Sequence, residues 1–218
     1  MPILDNKKNI RSFGRINGRG VDENVKNKLN EKLTKYSFDI NNIDINGTNY
    51  LEIGFGYGES IAERAPQTKS VNYIGCETYT KGVLNLLNLM EQHNIENIRI
   101  FNGDARLLLE ALPDKVLDKV FILFPDPWPK KKQNKRRIIG DDFLILLSKK
   151  IKTGGTLFFA SDIDSYVDWS LEKVGNNHSF SLISNTKQEP SWWVKTKYQQ
   201  KAITEGRQSS FLEWKIID

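Results

Sequence analysis

The sequence predicts an α/β protein with a Rossmann-like, doubly wound and mostly parallel sheet, helices on both faces and an antiparallel pair of strands at its C-terminal edge. Short apolar segments rich in β-branched and aromatic residues alternate with stretches of helical periodicity, which is typical of parallel strands joined by right-handed crossovers. After Asn177 the strand-like segments FSLIS and FLEWKII follow without a clear helix between them, which favours antiparallel pairing. The chain has 218 residues, 39% of them hydrophobic, which suffices for one core.

The elements follow one another in a regular order. Asp22 can cap a first helix, in which Val25, Leu29, Leu33 and Tyr36 form an apolar stripe. Five apolar runs with the length of strands come next, and helical patterns separate them. The predicted strands are 50–53, 71–76, 98–101, 118–124 and 155–160, and the predicted helices lie near 58–65, 79–92, 105–111, 141–151 and 163–175.

Two segments depart from this alternation. Residues 1–21 are polar, basic and glycine-containing, so we expect a flexible N-terminal arm ahead of a single domain over residues 22–218. Segment 186–207 is predicted to be a long connection, and a loop of that length in a compact domain is more often functional than idle.

The charge distribution suggests a polyanionic partner. The formal net charge is +5, and six of the eight residues in Lys130–Arg137 (KKKQNKRR) are basic. A second basic segment lies within the first 20 residues. Such runs either bind nucleic acid or form a solvated face, and composition alone leaves both readings open.

Other classes of protein are excluded by what the sequence lacks. One cysteine, Cys76, rules out an internal disulfide, and with only two histidines a zinc site has too few ligands, so no metal is expected. No apolar run approaches the roughly 20 residues that span a bilayer. The first residues also lack the apolar core of a secretory signal, so we expect a cytoplasmic protein without membrane contact. A monomer and a homodimer are both compatible with the sequence.

A glycine-rich turn follows the first predicted strand. Gly54 and Gly56 stand at alternate positions, where they let the backbone turn sharply and approach a ligand closely. The dinucleotide fingerprint needs a third small residue at the position of Glu59, where a carboxylate would face the pyrophosphate. A cationic or zwitterionic ligand without phosphate therefore fits better.

Acidic residues lie where the next strands end. Glu77 follows the second strand, 23 residues beyond Gly54, and a carboxylate there can accept both hydroxyl hydrogen bonds of a ribose. Asp104 follows the third strand, where it either accepts from an adenine amino group or caps the next helix. Together with Glu52 and the glycine turn, these residues resemble the class I S-adenosylmethionine-dependent methyltransferases over about residues 48–160.

The fourth strand ends in Pro125-Asp126-Pro127-Trp128-Pro129. Two prolines fix the backbone on either side of Asp126, so its carboxylate would be held rigidly at the mouth of the cleft. The alternative is a simple Pro-Asp-Pro turn with Trp128 packed in the core. A polybasic run follows immediately, as expected where a phosphate backbone presents one base.

The combination of these motifs is more specific than any of them. PDPWPKKKQNKRR, preceded by LEIGFGYGES and GCE and followed by ASDIDSY, closely resembles the tRNA (guanine-N7-)-methyltransferase family. The likeness runs from the arm motif Arg11–Arg15 to residues 196–199. It implies S-adenosylmethionine as cofactor, tRNA as partner and methylation of a guanine N7, at position 46 of the variable loop. The resemblance assigns Glu52, Glu77, Asp104 and Asp126 to the cofactor, Asp126 to the catalytic position, and Lys130, Asp162, Thr196, Lys197, Tyr198 and Gln199 to the substrate.

One departure from the family and two competing functions accompany this prediction. Where the family usually carries a glutamate this chain has Gln199, which keeps an acceptor but loses the charge. A small-molecule or protein methyltransferase would share the cofactor core, and an RNA-binding module would bind tRNA without transferring a methyl group. A cytosine C5 methylase needs a nucleophilic thiol, whereas Cys76 lies on the ribose side. Only the tRNA methyltransferase uses the glycine turn, Glu77, the Pro-Asp-Pro turn and the basic run together.

Overall fold

A computed structural model of the chain describes residues 21–41 and 45–218. Within these residues seven strands form one sheet. The strands are β1 (Thr48–Ile53), β2 (Val71–Glu77), β3 (Ile98–Asn102), β4 (Leu117–Leu123), β5 (Ile151–Ser161), β6 (Phe180–Thr186) and β7 (Ser210–Ile216). The helices are α1 (Glu23–Tyr36), α2 (Glu59–Arg64), α3 (Thr80–Gln92), α4 (Ala105–Ala111), α5 (Asp141–Lys150), α6 (Asp164–Gly175) and α7 (Lys197–Thr204), with short 3-10 helices at Ala65–Gln67 and Lys131–Arg136.

The strand order confirms the predicted fold class. The order across the sheet is β3-β2-β1-β4-β5-β7-β6, and the first five of these strands run parallel. Only β7 is antiparallel to its neighbours β5 and β6. The order reverses between β1 and β4, and ligands of open α/β sheets bind outside the carboxyl ends of the strands at such a reversal.

Alternate side chains of the central strands pack on opposite faces of the sheet. Val120 and Ile122 of β4 join the core formed with α4, α5 and α6, whereas Phe121 and Leu123 point into an aromatic cluster on the other face. This two-residue period explains why residues 120–123 of β4 form a continuous apolar run, because a strand segment buried on both faces has no polar side.

The first helix begins where the sequence predicts. Asp22 Oδ1 accepts a hydrogen bond from Val25 N at 2.9 Å, which satisfies one of the free amides of the first turn. Leu29 and Tyr36 of the predicted stripe are buried against α3 and β3.

The prediction of a helix-free connection over residues 186–207 is wrong, because α7 lies within it. Thr196 Oγ1 caps this helix by accepting from Gln199 N at 3.1 Å. Only Gln199 and Ala202 of its eight residues are buried, and a helix of about two turns is too short for an apolar period to stand out in the sequence.

The predicted N-terminal arm falls almost wholly outside the described part of the chain. Residues 1–20, and with them the motif Arg11–Arg15, are not among the described residues. In the ranges that the structure does describe, none of the helices has the length and apolar character needed to cross a membrane.

Candidate active site

The glycine-rich turn joins β1 to α2 in a left-handed backbone conformation. The φ angles are 72° at Gly54, 58° at Gly56 and 80° at Gly58, a region that residues with a Cβ rarely adopt. A Cβ on Gly82 of α3 would lie 2.1 Å from the carbonyl oxygen of Gly56, so α3 packs directly on the turn. The turn therefore has a fixed shape, supported from behind by a helix backbone.

Glu77 at the end of β2 is held by backbone amides. Its Oε2 accepts from Gly56 N at 2.9 Å, and its Oε1 accepts from Thr78 N at 2.6 Å and Tyr79 N at 2.9 Å. These amide hydrogen bonds fix the orientation of the carboxylate, although a glutamate side chain is long and flexible. Oε1 also accepts from Thr78 Oγ1 at 3.4 Å, so the capacity to accept from a ligand hydroxyl lies mainly on Oε2.

Asp104 caps α4 and also faces the cleft. Its Oδ1 accepts from Arg106 N at 2.9 Å, which is the capping interaction considered from the sequence. The Arg106 guanidinium holds both carboxylate oxygens, with Nε at 2.9 Å from Oδ1 and Nη2 at 2.6 Å from Oδ2. Because the side chain also lines the pocket, capping and ligand binding are compatible at this position.

Asp126 lies between two unusual backbone positions. Phe124 has a φ of 48° and Trp128 a φ of 43°, and neither residue is a glycine. Such conformations cost on the order of 1–3 kcal/mol each and persist only where the surroundings enforce them. Phe124 is held by its amide, which donates to Ala160 O at 2.8 Å, and by its ring, which packs on Trp193. Trp128 lies under the Arg136 guanidinium, 4.8 Å from the ring centroid.

These residues line one pocket of about 870 Å³. Gly54, Gly56, Glu77, Asp104 and Asp126 all contribute to its wall. The volume lies in the upper part of the range of about 300–1,000 Å³ that small-molecule sites occupy. Residues that are separated by more than 70 positions in the sequence thus meet at the carboxyl ends of β1, β2 and β4, as predicted.

Several pocket residues were not predicted from the sequence. Tyr57 and Tyr79 form an edge-to-face pair with ring centroids 5.8 Å apart, and Arg106 lies beside Asp104. Each follows a predicted strand end by a few residues, so strand-end position was the signal that could have identified them.

Glu52 lies away from this pocket. It is 2% exposed, and its carboxylate accepts from the guanidinium of Arg64, which is 5% exposed. That guanidinium also packs over the ring of Phe121 at 3.9 Å. Burial raises the pKa of Glu52, and the positive charge of Arg64 opposes this shift. The structure therefore gives Glu52 a role inside the fold, and a direct cofactor contact stays a prediction.

The residues 196–199, which the resemblance assigns to the substrate, differ in whether they face the pocket. Tyr198 lines the pocket and lies against Gly56, and Lys197 Nζ lies 2.7 Å from the Glu59 carboxylate. Gln199 is buried: its Oε1 accepts from Trp193 Nε1 at 2.6 Å, and its Nε2 donates to Glu189 Oε1 at 2.8 Å. A glutamate there could not make the second bond and would place its charge against Glu189.

Two further predicted substrate residues lie outside the pocket wall. Lys130 is exposed at the start of the 3-10 helix that carries the basic run. Asp162 does not cap α6; its Oδ2 accepts from Arg207 Nε at 2.6 Å and thereby fixes the chain just beyond α7. Substrate roles for both residues remain predictions.

The basic run itself is not uniform. Lys131, Lys132 and Lys135 are exposed, whereas Arg137 is buried. Burial lowers the pKa of Arg137 from its usual value, although a guanidinium stays charged at neutral pH.

The pocket offers no nucleophilic thiol. Cys76 contributes to its wall but is 2% exposed, and its Sγ lies 3.4 Å from the carbonyl oxygen of Gly103. Burial raises the pKa of this thiol well above its ordinary value, and the charges of Glu77 and Asp104 act in the same direction. Within residues 21–41 and 45–218, no group of three or more His, Cys, Asp and Glu side chains could hold a metal ion.

A Rossmann-like sheet with a glycine turn, an amide-bound glutamate and a strand-end aspartate is typical of the class I methyltransferase fold. Solved structures share this fold. Superposition on the 16S rRNA methyltransferase KamB gives a TM-score of 0.61 at 14% identity and covers 94% of this chain and 99% of that one. TrmN from Thermus thermophilus gives 0.58 at 16% identity, with 78% and 44% of the two chains covered.

Sequence comparison identifies the family. Residues 46–212 match the family model Methyltransf_4, described as "Putative methyltransferase". The chain is 36% identical over 221 residues to a tRNA (guanine-N(7)-)-methyltransferase of Rhizobium johnstonii, covering 94% of each protein. It is 40% identical to a bifunctional methyltransferase of Rickettsia conorii, but spans only 39% of that protein's length. The chain belongs to the tRNA (guanine-N(7)-)-methyltransferase family.

Proposed function

We propose that the protein transfers a methyl group from S-adenosylmethionine to N7 of a guanine in tRNA, at position 46 of the variable loop, in the cytoplasm. The observation that carries this proposal is that the Gly56 and Glu77 pair and Asp126 share one pocket. The names of the relatives support the reaction and the substrate class.

The donor set of the pocket suits this cofactor. When bound, S-adenosylmethionine supplies a methyl group on a positively charged sulfonium. Glu77 offers an amide-oriented carboxylate to a ribose, chiefly through Oε2, and the turn at Gly54 and Gly56 lets the backbone approach a ligand closely. The carboxylates of Glu77, Asp104 and Asp126 follow the ends of β2, β3 and β4 and favour a cationic group near them. Basic side chains also line the same pocket, namely Arg106, Lys135, Arg136, Arg137 and Lys173.

In this reaction the main role of the protein is to orient the guanine and the cofactor. Guanine N7 carries a lone pair and no proton, so no general base is needed. Among the residues that line the pocket there is no histidine, and the single thiol is protonated. Asp126 can accept from N1–H and the amino group of a guanine, and its charge stabilises the positive charge that develops on the base.

The exposed lysines suit the phosphate backbone of tRNA. Lys131, Lys132 and Lys135 follow directly on the loop that carries Asp126. A cationic surface beside the pocket allows phosphates to be held outside while one base enters. The predicted arm, residues 1–21, would add further basic side chains to this surface.

The test is a base-mapping assay. The protein is incubated with methyl-labelled S-adenosylmethionine and an unmodified tRNA transcript, and the product is digested and mapped. We expect 7-methylguanosine at position 46 and no product with a transcript that carries adenine there. Methyl recovered on another atom or base contradicts the proposed reaction, whereas 7-methylguanosine at another site contradicts only the position.

The variant Asp126→Asn tests the catalytic role of Asp126. It keeps the size of the side chain and removes the charge, so turnover should fall about 10²–10³-fold, as when one preorganised electrostatic group is lost. Affinity for S-adenosylhomocysteine, measured by calorimetry, should stay within a few-fold of the unmodified protein. Turnover within a few-fold would show that Asp126 is not catalytic.

A further inference from the structure

Arg137 ends a run of basic residues but is not on the surface with them. The side chain is 6% exposed, whereas Lys131 and Lys132 of the same run are exposed. A guanidinium buried to this degree offers little surface to a phosphate.

The contacts of Arg137 are instead made within the protein. Its Nε donates to Pro127 O at 3.0 Å, and its Nη1 donates to Ser165 O at 2.8 Å. Nη2 lies 3.3 Å from Ser165 Oγ. The guanidinium also packs over the rings of Tyr166 and Trp169, at 4.7 Å and 5.4 Å from their centroids. Arg137 thus connects the loop that carries Asp126 to the first turn of α6.

The loop needs such an external support. The proline nitrogens at 125 and 127 have no hydrogen to donate, so two of the amide hydrogen bonds that could fix a turn are missing from the segment. Left-handed conformations at Phe124 and Trp128 bracket it. The carbonyl of Pro127, directly after Asp126, is fixed by Arg137.

We propose that Arg137 is a positioning residue for methyl transfer, which holds the Asp126 loop in its reactive place and does not bind tRNA phosphate. This inference rests on the proposed function. Displacement of a reacting group by about 1 Å can lower a rate by about 10²-fold, so loss of the bond to Pro127 O should appear in kcat.

Arg137→Lys separates the two roles because it keeps the positive charge but loses the planar set of donors. A lysine cannot reach Pro127 O and both Ser165 oxygens with the same geometry. We expect kcat to fall about 10–100-fold, with KM for tRNA and its dependence on salt unchanged. A phosphate-binding role predicts near-normal kcat and KM for this variant, since the charge is retained.

Lys131→Gln is the matched control from the exposed part of the run. If Lys131 contacts a phosphate, its KM for tRNA should rise and the slope of log affinity against log salt should decrease by about one. Arg137→Gln, which is neutral, is assayed in parallel so that the test does not depend on one variant folding. Its kcat should also fall, while the slope of log tRNA affinity against log salt should equal that of the parent protein.

The outcomes distinguish this inference from the proposed function. Variants are compared below their melting temperatures, after calorimetry has shown that they bind S-adenosylhomocysteine. Suppose that the parent protein is active. A near-normal kcat in Arg137→Lys, or a changed dependence of tRNA affinity on salt in Arg137→Gln, then overturns the positioning role alone. An unmodified protein that does not methylate guanine N7 in tRNA overturns both.

Discussion

Replacing Glu52 with glutamine should destabilise the fold more than it weakens cofactor binding. The variant leaves the Arg64 guanidinium buried without its counter-charge, and removing one partner of a buried ion pair costs about 3–5 kcal/mol. Arg64 keeps its contact with the Phe121 ring at 3.9 Å and its bond from Nε to Ser60 O at 3.3 Å. We therefore expect a loss near the lower limit, about 3 kcal/mol, which lowers Tm by roughly 6–12 °C in a chain of this size.

Urea unfolding gives the free energy of unfolding, and calorimetry gives the affinity for S-adenosylhomocysteine. The double variant Glu52→Leu with Arg64→Met removes both charges and should recover most of the lost stability, because no buried charge is left without a partner. Unchanged stability in Glu52→Gln, together with a more than tenfold loss of affinity, would refute this reasoning and favour a direct cofactor contact.

Three further perturbations test the pocket. Glu77→Gln should weaken S-adenosylhomocysteine binding about tenfold or more in calorimetry, since charge-assisted hydrogen bonds contribute about 1.5–3 kcal/mol; unchanged affinity would place the ribose elsewhere. Gly82→Ala forces a methyl group against the Gly56 carbonyl and should lower both stability and cofactor affinity, whereas Gly175→Ala, with open space around it, should not; equal behaviour of the two variants would contradict the packing argument. Cys76→Ala should retain methyl transfer within a few-fold, and the native thiol should resist alkylation at pH 8 because burial raises its pKa; rapid alkylation or loss of transfer would contradict a passive role.

The site residues that follow the ends of strands could be predicted from the sequence. Gly54, Glu77 and Asp126 follow three strands that the apolar pattern identifies, and parallel strands bring their carboxyl ends to the same edge. A local pattern and one topological rule therefore determine the placement of these residues in a common pocket.

The remaining features depend on tertiary contacts. Arg137 stands in a run of charges typical of solvated surface, and only the positions of Pro127 and Ser165 reveal that it is buried. Glu52 alternates with the core residues Leu51 and Ile53, so the period of the strand already indicated that it points to the opposite face. Its partner Arg64, twelve residues away, could not be inferred from that pattern.

Helix α7 illustrates a different limit. It is short, and one of its two buried residues, Gln199, is polar and forms hydrogen bonds with Trp193 and Glu189 that help to set its place. A helix of about two turns carries little periodic signal.

The most direct test of the shared pocket is a crystal structure with S-adenosylhomocysteine. We predict ribose hydroxyls within hydrogen-bonding distance of the Glu77 carboxylate, and a thioether sulfur that faces the Asp126 loop. A ligand bound in a different cavity, or a ribose that does not contact Glu77, would contradict the account.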